Sequence, residues 1–331
     1  MVETRAYRDG RKVADGFGID ELSERRSGPD GDRTGDVLWI DLAPDDADAL
    51  ATLASELGLH PLAVEDVAER GQRVKLDRYP DHLFLSVYAL SSASKNHGFA
   101  AHDLTAFVLP DVLVTVRDPA DFDMTRVLSA WDSHPDLMRE GVSALLWAVL
   151  DAVVDSHLAA AQHLDERLEK AEETIFTVGH DERRAQRATY HAHKDVGALR
   201  RYALPMRDVL DTLLRGEDPV VEVGASALAP YYRDVNDHVL RLMGWTDALR
   251  DVATTLLDAN LTVQSNRMNL VMKKVTSWAA IIAVPTLVTG VYGMNVQYPL
   301  FGTVLGWWIG AALVAVPPVF LYSAFKKSDW L

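Results

Sequence analysis

From Val275 through Phe325 the chain carries no Asp, Glu, Lys or Arg, a run of 51 positions, whereas ordinary soluble domains are charged at about one position in four. Within that run, residues 275–294 and 304–325 each provide the ~20 apolar positions that cross a ~30 Å hydrocarbon core as helix. Two membrane spans are predicted, joined by an outer turn over 295–303. No charge falls on either span anywhere around its circumference, which distinguishes them from a buried hairpin of a soluble protein.

Upstream the pattern changes. After Pro230, a residue suited to a first helical turn, no proline occurs until Pro285, and Gly244 is the only glycine between them. That stretch predicts one helix of roughly 80 Å that continues into the first span. Val142–Phe176 and Glu182–Leu214 repeat apolar residues at the 3.6 period and predict two more long helices, separated near Gly179 and His180. Residues 1–140 are mixed. Apolar runs at 37–42, 83–90, 104–109 and 112–116 predict strands, the last two forming a hairpin about Pro110 and Asp111, with helices over 45–57 and 61–68. The fold class expected is an α+β membrane protein: an α/β domain over 1–140, a long-helix and stalk region over 141–274, the spans, and a basic tail over 326–331.

Charge sharpens this division. The whole chain of 331 residues carries a net −15, yet from Lys273 onward it holds four lysines and one aspartate, leaving −18 upstream. Lys273 and Lys274 precede the first span, and Lys326 and Lys327 follow the second. By the positive-inside rule both termini are cytoplasmic and the protein is a multi-pass component of the inner or cell membrane, with membrane lipids as partners. The acidic remainder excludes broad nucleic-acid binding. Zero cysteine excludes disulfides, thiolate zinc sites, iron–sulfur clusters and a cysteine nucleophile. No phosphate-binding loop, glycine-rich nucleotide turn or serine elbow is present, so neither an enzyme nor an organic cofactor is expected. His191 and His193 lie two apart on a helix and point to different faces, so the 11 histidines supply no evident metal set.

Helical steps of three and four along the first span connect Asn269, Met272, Thr276, Ala279, Ala283, Thr286 and Gly290, with Val275 beside them, and lead to Gly293, Met294 and Asn295. This face is small and polar, while Trp278, Ile281, Ile282, Val284, Val288 and Val291 suit lipid or the second span. Such a stripe either mediates close helix packing or lines water at the axis of a symmetric bundle, and the second reading requires several copies around the membrane normal.

Tyr292, Gly293, Met294 and Asn295, at the outer end of the first of two C-terminal spans, ahead of a short turn and a basic end KKSDWL, resemble the signature of CorA-type magnesium transporters. His60 to Leu90 (HPLAVEDVAERGQRVKLDRYPDHLFLSVYAL), Tyr231 to Leu242 (YYRDVNDHVLRL) and Asn266 to Trp278 (NRMNLVMKKVTSW) agree with the family in order and spacing, so the likeness covers nearly the whole chain. It implies a homopentameric Mg2+ channel, with cobalt or nickel as passengers, driven by membrane potential and gated by internal magnesium. Gly293, Met294 and Asn295 would form the selectivity filter, Met272 with Val275 or Thr276 a dry gate, and Asn269 and Thr286 polar stations. Asp66 and Asp234 match the family's regulatory Mg2+ carboxylates, contributed by neighbouring subunits. Two features depart from the family: the outer turn lacks acidic residues, and Val275 and Ala283 stand where relatives are often bulkier. The alternatives are a zinc transporter of the same architecture and a non-conducting membrane-anchored scaffold or sensor. Zinc favours nitrogen and sulfur ligands, which the stripe lacks.

Overall fold

The computed structural model describes residues 2–26, 35–69, 71–92, 98–176, 182–216, 220–221, 223, 226–294 and 300–330. The chain divides into two compact units, Met1–Leu256 and Leu257–Leu331.

The first unit opens with a hairpin, β1 (Glu3–Arg8) and β2 (Arg11–Asp15), turned by Asp9 and Gly10 at φ 53° and 77°. Two successive left-handed residues make the turn whose twist matches paired strands. A short helix α1 (Leu22–Arg26) leads to β3 (Val37–Leu42), then α2 (Ala47–Leu57) and α3 (Pro61–Ala68). Strands β4 (Lys75–Arg78), β5 (Leu83–Ser92), β6 (Phe99–Val108) and β7 (Val112–Arg117) complete a seven-stranded sheet of order β2-β1-β3-β7-β6-β5-β4. All pairings are antiparallel except β3 with β7, which run parallel in a register setting Leu38 opposite Val112 and Leu42 opposite Val116.

Side-chain alternation puts a core on each face of the sheet. Leu83, Leu85, Val87 and Ala89 of β5 belong to one core, and Phe84 between them to the other. The second core is closed by Leu50, Leu53 and Leu57 of α2 with Ala63 and Val67 of α3. The first is closed by helices α4 (Thr125–Ser133), α5 (Pro135–Met138), α6 (Val142–Phe176) and α7 (Glu182–Leu214), and by the start of α8 (Ala229–Tyr292). Along α6 the buried positions Val142, Leu145, Leu146, Val149, Leu150, Val153 and Val154 recur at three and four, which is why this sequence is helical and which face it buries. Arg167 of α6 and the backbone N–H of Gly98 both donate to Asp195 of α7, at 2.6 and 2.7 Å.

Between β3 and β7 a buried ion pair joins Arg117 to Asp41 at 2.7 Å, and Thr115 Oγ1 donates to Asp41 at 2.5 Å. Burial, opposed by Arg117 and Thr115, pushes the Asp41 carboxyl up to about 6.

The second unit contains the remainder of α8 and helix α9 (Val304–Lys327). Three helices among the described residues are long and apolar enough to cross a membrane: α6, α8 and α9. The most apolar window of α6 is 61% buried, against 6% in α8 and 11% in α9. Only the latter two leave their apolar surface uncovered, in agreement with the two spans predicted.

The strands expected at 37–42, 83–90, 104–109 and 112–116 are present. The third starts earlier, at Phe99, because the antiparallel ladder with β5 continues to Ser92. The predicted bounds of α3, α6 and α7 coincide with those observed. Helix α2 starts at Ala47, two residues later than expected, with Asp46 as its N-cap. Gly179 and His180 lie outside the described residues.

Candidate functional site

Asn269, Met272, Val275, Thr276, Ala279, Ala283, Thr286 and Gly290 are all exposed on α8. Ser277, Ile281, Val284, Val288 and Tyr292, on the opposite side of the helix, are buried or half-buried. Contacts between α8 and α9 include Tyr322, whose ring centre lies 6.4 Å from that of Trp278, and Gly310, which lies under the ring of Tyr292. The small, polar stripe is therefore not what packs α8 on α9 within one chain. The six apolar residues expected for lipid or the second span divide, with Ile281, Val284 and Val288 half-buried and Trp278, Ile282 and Val291 exposed.

Thr286 Oγ1 donates to the Ile282 carbonyl at 2.8 Å. Its proton is thus committed to the helix, and its lone pairs remain for donors such as the water shell of a cation. Towards the lysine pair that precedes the apolar run, Asn266, Asn269, Met272, Lys273, Thr276 and Trp330 border a hollow of about 620 Å3. Lys273 Nζ stands 5.9 Å above the Trp330 ring, and Trp330 stacks on Phe325.

At its C-terminal end, α8 stops at Tyr292. The Gly293 N–H still donates to Thr289 O at 2.9 Å, and the Met294 N–H turns to Val291 O at 3.2 Å. Gly293 and Met294 are exposed. Asn295 lies outside the described residues, so its candidacy rests on the sequence. The chain re-enters at Leu300, with φ 69°, and Gly302, with φ 76°. Thr303 caps α9, accepting from the Gly306 N–H at 3.1 Å and donating to Leu300 O at 2.7 Å.

The two carboxylates matched to regulation sit in different surroundings. Asp66, on α3, accepts from Lys75 at 2.7 Å, and Lys75 also lies 2.7 Å from Asp77. Burial works against the Lys75 charge, but hydrogen bonds to Asp66 and Asp77 outweigh it and hold its pKa up. Asp234, on α8, is exposed and lies 3.9 Å from His238, one turn on. Its neighbours include residues for which the sequence reading had no role. Asp151 and Asp155, one turn apart on α6, present carboxylate oxygens within 4.8 Å of each other and of a His238 ring nitrogen. Burial first, then the charges of Asp155 and Asp234, hold the Asp151 carboxyl above the usual range, partly offset by His238. Oxygen and imidazole donors in this arrangement suit a divalent cation, which would relieve the repulsion between the carboxylates. The available signal was the pair of four-residue spacings, Asp151 with Asp155 and Asp234 with His238. What the sequence concealed was that the two helices face each other.

One further chain of hydrogen bonds has the residue types of a hydrolase. Ser91 Oγ lies 2.6 Å from His102 Nε2, and His102 Nδ1 lies 3.1 Å from Asp121. Ser91 borders a cavity of about 40 Å3, too small for an acyl substrate beside a nucleophile, while the hollow of about 270 Å3 beside His102 and Asp121 is not lined by Ser91.

Residues 34–327 match the family described as CorA-like Mg2+ transporter protein. The cobalt/magnesium transport protein CorA of Thermotoga maritima is 26% identical over 287 residues, which cover 86% of this chain and 80% of that protein. The protein of the same name from Methanocaldococcus jannaschii is 23% identical over 298 residues, 89% of this chain and 92% of that one. Among solved structures, the complete CorA magnesium transporter of Methanocaldococcus jannaschii superposes with a TM-score of 0.76 at 20% identity, over 99% of this chain and 98% of that one. The α/β part, the long helix and the two C-terminal apolar helices are therefore one recurrent fold, and the protein resides in a membrane. With the matched region spanning most of its length, the chain belongs to the CorA-like Mg2+ transporter protein family.

Proposed function

We propose that this protein conducts Mg2+, with Co2+ and Ni2+ as passengers, through a pore formed by α8 from several copies, five by analogy with the family. The observation that carries this reading is the wholly exposed stripe from Asn269 to Gly290 on a helix whose opposite side holds the buried and half-buried positions. A polar strip left facing hydrocarbon would be costly, whereas around an axis it borders water. The lysine pairs support an orientation with the first unit and both termini in the cytoplasm of a cell-membrane protein, residues 1–274 inside, 295–303 outside and 326–331 as the inner tail.

Mg2+ gives up its water reluctantly, so the pathway has to hold a hydrated ion. The carbonyls of Gly293 and Met294 and the amide of Asn295 supply acceptors for its outward-pointing water protons, and Thr286 and Asn269 repeat this further in. Met272, with Val275 or Thr276, forms the gate: flexible apolar side chains closing on the axis exclude water and so exclude the ion. Mg2+ is drawn inward by the membrane potential, at about 2.3 kcal/mol per charge per 100 mV.

Internal Mg2+ closes the pore. Carboxylates of the acidic first unit, Asp66 of one copy and Asp234 of its neighbour, share the ion, with Asp151, Asp155 and His238 beside Asp234. The bound cation cancels repulsion that otherwise splays the copies. Lys75 occupies Asp66 in the single chain and would have to be displaced, which gives the site competition between an internal ammonium and a divalent ion.

The test is flux of Mg2+, Co2+ and Zn2+, measured side by side in liposomes containing only this protein. Mg2+ uptake that follows an imposed potential, is lost or becomes unselective in Asn295→Asp and leaks at high internal Mg2+ in Met272→Gly is the expected result. Absence of flux, or uptake of Zn2+ alone, would overturn the reading.

A further inference from the structure

Two glycines one helical turn apart on α9, Gly306 and Gly310, are buried in a helix that is otherwise largely exposed. Each lies against one end of the outer turn. A Cβ built on Gly310 would come within 2.8 Å of Tyr292 Cε1 and 3.2 Å of two more ring atoms. A Cβ on Gly306 would overlap the carbonyl oxygen of Leu300 and lie 3.2 Å from its carbonyl carbon. Contacts under 3 Å are not available to real methyl carbons, and neither neighbour yields cheaply, one being a rigid ring and the other backbone.

Tyr292 is the last residue of α8, and Leu300 the first described residue after the turn. The same i, i+4 pair of α9 thus seats both the departing and the returning strand of the loop that contains Gly293, Met294 and Asn295. The returning end has a second anchor. Leu300 O accepts from the Thr303 N–H at 3.1 Å and from its hydroxyl at 2.7 Å, and Thr303 Oγ1 in turn accepts from the Gly306 N–H at 3.1 Å. Leu300 holds the left-handed φ of 69° that this closure requires, a conformation unfavourable for a leucine unless its surroundings impose it.

We infer that Gly306 and Gly310 form a cradle that positions the outer filter, fixing the height and separation of the two ends of the turn, so that discrimination among ions depends on residues of the second span that never meet the ion. The inference rests on the filter reading proposed above. Its physical basis is that a filter holding a hydrated ion by hydrogen bonds is sensitive to displacements of a few tenths of an ångström. A methyl group under Tyr292 obliges that contact to shift, and Tyr292 immediately precedes Gly293. Glycine is required at these two positions for want of space, since neither has the positive φ that would otherwise demand it.

The experiment compares wild type with Gly306→Ala, Gly310→Ala, Tyr292→Leu and the double change Gly310→Ala/Tyr292→Leu in liposome flux assays. Asn295→Ala measures the filter itself in parallel. Gly310→Ala should reduce Mg2+ flux at least fivefold and narrow the preference for Mg2+ over K+ at least threefold, with an unchanged elution volume in detergent. In the Tyr292→Leu background the same methyl group should have less than half of that effect, because the ring it strikes is gone. The chain contains no cysteine, so a single Met294→Cys thiol reports the turn directly, and its labelling rate by a charged thiol reagent should change at least threefold when Gly310→Ala is added. If Asn295→Ala loses selectivity while both glycine variants keep wild-type flux, selectivity and labelling, the cradle is overturned and the filter reading stands. If Asn295→Ala behaves as wild type, the filter reading fails and the cradle falls with it. Should Gly310→Ala not accumulate, recovery of the double variant supports the steric contact, and equal loss of both refutes it.

Discussion

Helices α6 and α9 are both apolar enough to cross a bilayer, yet they spend that character differently. On α6 the apolar positions are covered by the sheet on one side and by α7 on another, and its remaining face carries Asp151, Asp155, Glu166, Glu169, Glu172 and Glu173. On α9 no charge appears before Lys326, and large side chains such as Trp307, Trp308, Val319 and Phe320 are exposed at 63–70%. Apolar content alone does not mark a membrane helix. The distribution of charge around the circumference does, because a helix in hydrocarbon has no side on which a carboxylate is tolerated, while a core helix needs one.

The sharpest way to test that contrast is to shorten equivalent leucines. Leu146 of α6 is 0% exposed and Leu305 of α9 is 60% exposed. Leu146→Ala should cost about 2–5 kcal/mol through lost burial and the cavity left behind. Leu305→Ala should stay within about 0.5 kcal/mol in detergent. Denaturant midpoints of the two purified variants measure this, and equal losses would mean that the exposed surface of α9 is packed after all.

Acid separates the two units next. His157 of α6 is fully buried. Its Nε2–H donates to Tyr88 O at 2.7 Å, and burial holds its pKa down at about 4. An unfolded histidine titrates near 6.5. As pH falls from about 6.5 to about 4 the unfolded chain takes up a proton the folded one refuses, so roughly 3 kcal/mol of stability drains from the first unit over that window. Asp41 works in the opposite direction. Its carboxyl, raised to about 6, protonates more readily folded than unfolded, so its contribution grows as pH falls through about 6 to 4. His157→Gln should flatten the acid limb of the denaturation midpoint. The α8–α9 pair, with no carboxylate between Val275 and Phe325, should keep its helical signal throughout. Acid melting of both units together would contradict the division.

The smallest effect concerns an end rather than a face. Thr303→Ala removes the cap of α9 and its bond to Leu300, worth about 1 kcal/mol. The loss should appear as faster amide exchange at Gly306, with the first unit unaffected.

What the sequence revealed followed periodicity. The apolar repeat of α6 and α7 placed both helices, and the charge-free run placed the membrane pair. The hairpin of β1 and β2 was missed although Asp9-Gly10 is a strong turn signal, because β2 (Arg11–Asp15) has no buried residue and one that is half-buried, so no alternation frames the turn. Strand β4 (Lys75–Arg78) was missed for the same reason: it is an edge held by backbone pairing to β5, which leaves no mark on side chains. At the site, the exposed stripe could be read from spacing, and Asn295 from its motif. The Asp151, Asp155 and His238 group could not, since His238 lies on a different helix, more than 80 residues along the chain from either aspartate.

The parallel pairing of β3 with β7 sets a timetable for synthesis. Val37–Leu42 leaves the ribosome first, yet the strand that completes its pairing begins at Val112. At roughly 5–20 residues per second, the intervening chain takes about 4 to 15 s to emerge. Over that interval β3 has one bare edge, and Asp41 waits for Arg117 with its charge in water. Once β7 arrives, the ion pair closes and the carboxylate is sealed under Thr115. The N-terminal hairpin pairs with the other edge of β3 and shields the strand on that side, so in a nascent chain stalled before residue 112 the bare side of β3 is the edge that β7 would have covered.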